Sequence, residues 1–252
     1  MARKIIPLRQ YIQHWDNAYQ VIDAISALYR IPHAQITFDH VIRHFENTYN
    51  VRFVYFDRDP FPELPTAGFL GAEHIRYRGL VSNPDVIQSN EILCKHNDGI
   101  TLYDKEKDKY VVFINQTNIK ERVIFTILHE LAHIEAHFST GRSEAIALAC
   151  TSEYQSSPLE EEANTMASLF FINNDRLVWH LRNSHSYYDI KKMNTISDNA
   201  LFNRLVDFVH YRIFTYEEHL LDEQQQRQAA INLVKKFKQG NNLLQQYYDI
   251  DV

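Results

Sequence analysis

The sequence predicts a helix-rich α+β fold, and three observations carry that prediction. Apolar residues recur at helical spacing over long stretches near both ends. Only 6 of the 252 residues are glycine, which suits a chain built mostly from helices. Between the helical stretches lie short runs rich in β-formers, at Val51–Phe56, Gly99–Tyr103 and Tyr110–Asn115.

Residues 8–30 and 37–49 read as helices separated by Pro32, with Ile12, Trp15, Tyr19, Ile22, Ile25 and Leu28 tracing one apolar stripe. His40 and His44 stand four residues apart in the second, but Val41 occupies the place a catalytic acid would need, so they read as surface or packing histidines. Val51–Phe56 alternates as a strand does, and the turn cluster Asp57–Pro65 ends it. A short strand is expected near Ile75–Val81. Gly99–Tyr103 and Tyr110–Asn115 flank a charged connection and form a hairpin, after which a helix begins within Thr117–Arg122. Ser139–Pro158 is a polar connection with a short helix expected at Ser143–Cys150. The next long helix has strong start signals: Ser157 as cap, Pro158 at the first helical position and Glu160–Glu162 in the first turns. Further helices are expected at 200–214 and 216–248. The chain therefore divides into an N-terminal helical segment (1–49), a mixed core (50–175) and a C-terminal helical region (176–252), packed as one compact unit.

Composition narrows the function. With 45% hydrophobic and 23% charged residues, the chain can bury a sizeable core. A net charge of -6 provides no basic field, so nucleic acid is not expected as a direct partner. Lys235-Lys236-Phe237-Lys238 reads as a solvated helix face. Cys94 and Cys150 are far apart and form neither a disulfide framework nor a thiolate metal site, which fits a reducing cytoplasm. No apolar run reaches the roughly 18 residues that a membrane span needs, and no signal-peptide core follows Met1-Ala2-Arg3-Lys4, so neither membrane insertion nor secretion is expected.

The chemistry concentrates in Phe125-Thr126-Ile127-Leu128-His129-Glu130-Leu131-Ala132-His133-Ile134-Glu135-Ala136-His137, which carries a His-Glu-x-x-His pattern inside an amphipathic helix. At 3.6 residues per turn, His129 and His133 stand one above the other and can hold one zinc ion. Glu130, beside them, can reach a water on that metal and serve as general base. Val123, Ile124, Ile127, Leu128, Leu131 and Ile134 bury the helix.

A third ligand is sought among Glu160, Glu161 and Glu162. Ala163, Met166, Ala167, Phe170 and Phe171 define the buried stripe of that helix. Glu160 lies roughly 50° from its centre, Glu162 roughly 105° and Glu161 roughly 155°. Glu160 alone is expected to point inward, with Glu161 and Glu162 solvated at the helix N-terminus. Asn164, one turn beyond Glu160, could accept the ring N–H of a ligating histidine. Two histidines and one glutamate leave a fourth position open for water, as a catalytic zinc site requires.

Together these stretches resemble the ImmA/IrrE family of zinc metallopeptidases. The likeness rests on the strand Tyr110–Asn115 ending in Ile-Asn, the Arg122-x-x-x-Phe125-Thr126-x-x-His129-Glu130-x-x-His133 helix, and Glu160-x-x-Ala163-Asn164-x-x-Ala167. Ser197-x-x-Ala200-x-x-x-Arg204-Leu205 is similar to a pattern that often follows. The resemblance implies a zincin-like core with a small sheet, His129, His133 and Glu160 as ligands to one Zn2+, and Glu130 as catalytic base. It also implies a helix-turn-helix repressor as the protein substrate, cut in a bacterium or on a mobile element. Two departures stand out. Ala132 replaces a more usual Gly, and Phe171-Ile172-Asn173 replaces a Leu-Met-Pro stop, so this helix is expected to run on towards His180. Tyr110–Asn115 could pair with an extended substrate, and His180, His185 and Tyr154 are oxyanion-stabilising candidates by residue type. The alternative expectation is a silent relative that sequesters a regulator without cutting it.

Overall fold

The computed structural model describes residues 5–58, 68–89, 98–139, 157–214 and 222–246. The helix expected at Ser143–Cys150, both cysteines and Tyr154 lie outside them. The fold is α+β and helix-rich, and the chain forms two compact units, Phe38–Ala167 and Met1–Thr37 with Ser168–Val252. This differs from the division at residues 49 and 175: the first helix groups with the C-terminal helices, and the second groups with the sheet.

The sheet unit holds five strands, β1 (Val51–Arg58), β2 (Gly68–Leu70), β3 (Asp85–Ser89), β4 (Gly99–Asp104) and β5 (Lys109–Asn115), in the order β2-β3-β1-β5-β4. β1 pairs in parallel with β3 and with β5, whose register runs from Val51↔Tyr110 to Phe56↔Asn115. The outer pairs, β2–β3 and β4–β5, are antiparallel. Phe53, Val54, Tyr55 and Phe56 are buried in succession, as a strand covered on both faces requires. Helix α2 (Phe38–Thr48) packs on α3 (Lys120–His133), and α3 packs on β4 and β5.

Two expectations about the sheet are corrected. Ile75–Val81 forms turns rather than a strand. A buried side chain meets its start: Arg76 N donates to Gln116 Oε1, and Gln116 Nε2 donates to His74 O. Gly79 at φ 82° then bends the chain. The strand Tyr110–Asn115, expected to be free for substrate, has ladders to β1 and β4 on its two sides. Among the described residues β4 is the outer strand at this side of the sheet.

The helical unit begins with α1 (Leu8–Tyr29). Its buried face comprises Tyr11, Ala18, Tyr19, Val21, Ile22 and Ile25, so the expected stripe is shifted, with Ile12 and Leu28 exposed. Tyr11 stacks on Tyr211 at 3.8 Å. Helix α4 (Pro158–Phe171) passes from one unit into the other along the chain. It does not run on to His180, because Asn173 caps a new helix, α5 (Asn174–Arg182), by accepting from Arg176 N. The buried Arg204 guanidinium donates to Ile172 O and to Asn174 Oδ1, holding the corner between α4 and α5. Helices α6 (Tyr187–Met193), α7 (Asp198–Phe208), α8 (Glu223–Lys238) and α9 (Leu243–Gln246) follow. Among the described residues no helix is long and apolar enough to cross a membrane.

Candidate metal centre

The start of α3 is fixed by short-range polar contacts. Asn115 ends β5 by accepting from Thr117 N and Thr117 Oγ1, and the Asp98 carboxylate accepts from Asn118 and from the Arg122 guanidinium. Arg122 therefore anchors the helix start. Val123, Ile124, Ile127, Leu128 and Leu131 are fully buried, which sets the helix rotation and so the direction of its histidines.

His129 Nε2 lies 3.1 Å from His133 Nε2. Glu160, on the first turn of α4, places Oε2 3.2 Å from His129 Nε2 and Oε1 3.1 Å from His133 Nε2. Among the described residues this is the one group of three metal-capable side chains whose donor atoms converge. The donor set fits zinc. Atoms bound tetrahedrally at about 2.0–2.1 Å lie about 3.3 Å apart, close to the three spacings found.

The three side chains also shift one another's protonation. Burial pushes His133 below the ordinary imidazole range, against the opposing effect of a hydrogen bond that it donates to Glu160. Burial would raise the Glu160 pKa, but the hydrogen bonds and charge of His129 and His133 outweigh it and hold the carboxyl well below the usual range. A zinc ion would take the place of the ring protons that face Glu160, with neutral imidazoles and a carboxylate as its ligands.

Glu130 lies on the sheet side of α3 and is 3% exposed. Thr101 Oγ1 on β4 donates to Glu130 Oε2 at 2.7 Å. Gly99 makes room for it: a Cβ there would come within 2.9 Å of Glu130 Oε1 and 2.5 Å of Thr126 Cγ2. Period-two alternation puts residues 99 and 101 on one face of β4. That pattern was present in the sequence, but nothing in it said which helix faced the strand.

Two expectations around the ligands change. Glu162, expected to be solvated, is 3% exposed and accepts from His137 Nε2 at 3.3 Å. His137 is carried by a π-helical turn, Ile134–Phe138, that continues α3. Asn164 is half-buried and, among the described residues, bonds to neither ligand histidine; His137 instead meets His133 Nδ1, at 2.9 Å. Sequence reasoning missed His137, although its spacing of four from His133 placed it on the ligand face. His180 and His185 lie in the helical unit, where their Nδ1 atoms pair at 2.9 Å and His180 is fully buried.

Comparison with known proteins gives a family. Residues 93–214, which carry β4, β5, α3 and the Glu160 helix, match the IrrE N-terminal-like domain of peptidase family M78. No curated protein matches the chain.

Proposed function

We propose, with residues 93–214 belonging to the ImmA/IrrE peptidase family, that this protein is a zinc-dependent endopeptidase whose substrate is a helix-turn-helix repressor. The convergence of His129, His133 and Glu160 beside a buried carboxylate supports the reading most directly. His129, His133 and Glu160 would hold the ion, which supplies Lewis acidity towards the scissile carbonyl and its attacking water. Glu130 takes the proton released by that water and passes it to the leaving amine. Thr101 occupies Glu130 Oε2, which leaves Oε1 for the proton. Gly99 keeps the path of that carboxylate clear. Among the described residues the outer edge of β4, next to Glu130, is unpaired, and its backbone N–H and C=O groups would meet an extended segment of substrate.

The test is a comparison of new protein N-termini in bacterial cells carrying the wild-type protein or Glu130→Gln, which keeps the ligands and loses the base. The proposal expects a cut in a helix-turn-helix protein with the wild type alone, with relief of its repression. Relief of repression by Glu130→Gln to the same extent would mean that the protein acts by binding the regulator.

A further inference from the structure

We infer that His137 and Glu162 form a buried positioning relay for the metal centre, fixing the tautomer and ring direction of His133 through two successive hydrogen bonds. The inference rests on the reading of His129, His133 and Glu160 as a metal site.

Donor and acceptor roles follow from one end to the other. His133 Nε2 is the atom that faces Glu160 and His129, so it must present a lone pair to a metal. The single proton of the neutral ring then sits on Nδ1. That atom lies 2.9 Å from His137 Nδ1, so His133 donates and His137 accepts. His137 must then carry its own proton on Nε2, where Glu162 Oε2 accepts it at 3.3 Å. Each step leaves one choice for the next. The second bond reaches a carboxylate, the group best suited to accept that proton and to make His133 a stronger ligand.

The surroundings make this more than incidental packing. His133 and Glu162 are each 3% exposed and His137 is fully buried, so little water is available to replace either bond. A buried carboxylate is costly unless it is paired, and His137 supplies a partner. The two supports come from different elements. His137 is carried by the π turn after α3, while Glu162 stands two residues beyond the ligand Glu160 on α4. The relay therefore ties the helix bearing two ligands to the helix bearing the third by a second path.

The experiment uses the full chain. Zinc affinity is measured by competition with a chromophoric chelator for wild type, Glu162→Gln, His137→Ala and His137→Asn. Long-range 1H–15N spectra of the zinc-loaded wild type report each ring's tautomer. The relay predicts Nδ1–H on His133 and Nε2–H on His137. Glu162→Gln and His137→Ala should weaken zinc binding by about 10–100-fold, with helical content kept. His137→Asn, whose Oδ1 can still accept from His133, should bind zinc more tightly than His137→Ala. If either alanine or glutamine substitution unfolds the chain, the tautomers of the wild type and the Asn variant decide. Zinc bound by the wild type with Nε2–H on His133, or affinities within twofold across folded variants, would overturn the relay alone. A wild type that binds no zinc would overturn the metallopeptidase reading with it.

Discussion

Thr101→Val removes the hydroxyl that holds Glu130 while keeping the shape of the side chain. Thr101 is buried, Glu130 is buried, and 2.7 Å separates Oγ1 from Oε2. A hydrogen bond to a charged group contributes about 1.5–3 kcal/mol, and a buried carboxylate that loses its donor keeps its desolvation cost. The expected loss is therefore about 2 kcal/mol. A double-mutant cycle isolates it: Thr101→Val, Glu130→Leu and the pair, each unfolded in urea with far-UV circular dichroism as the signal. That signal is needed because both tryptophans, Trp15 and Trp179, lie in the helical unit. The cycle should give a coupling of about 1.5–3 kcal/mol, and Thr101→Ser should lose far less than Thr101→Val. A coupling indistinguishable from zero would refute the assignment of Thr101 as the group that orients Glu130.

Two further outcomes follow from the same geometry. Gly99→Ala drives a methyl group against Glu130 and Thr126, and overpacking of this kind costs about 1–3 kcal/mol. Thermal denaturation should show the loss, elemental analysis should show zinc retained, and unaltered stability would remove Gly99 from the account. His180 yields a pH dependence. Burial, with the Arg176 charge beside it, lowers its pKa to about 4. Arg176 Nε donates to Asn194 Oδ1, which turns Asn194 Nδ2 towards His180 Nε2, where a second proton would face a donor. The unfolded chain takes up that proton below pH about 6.5, so this contribution, about 3 kcal/mol, is fully present above that pH and is lost as pH falls towards 4. Urea midpoints between pH 4 and 7.5 should rise with pH, and His180→Gln should flatten the slope. An identical slope in that variant would contradict the assignment.

Much of the site was legible because helix geometry is local. The buried stripe of α3 and the four-residue spacing of its histidines are fixed by 3.6 residues per turn, whatever packs against them. The hairpin was legible too, since two β-rich runs flank a short charged connection that closes where Asp104 Oδ1 accepts from Glu106 N and Lys107 N. What periodicity could not supply was the partner of each surface. β5 looked available for substrate because parallel pairing with β1 joins segments more than fifty residues apart and leaves no local signal. Glu162 looked solvated because its angle was judged against one apolar stripe, while its burial depends on a histidine arriving from another helix through a π turn. Ile75–Val81 looked like a strand because nothing nearby in the sequence shows that Gln116, forty residues on, takes the Arg76 N–H.

The central claim is that His129, His133 and Glu160 hold one metal ion. The most direct measurement is zinc per chain by elemental analysis of protein purified without chelator, for wild type, His129→Ala and Glu160→Ala. The account predicts about one zinc in the wild type and loss from both variants, because a site of three ligands loses most of its affinity with any one of them. Zinc kept at full occupancy by Glu160→Ala, or absent from a folded wild type supplied with zinc, would contradict it.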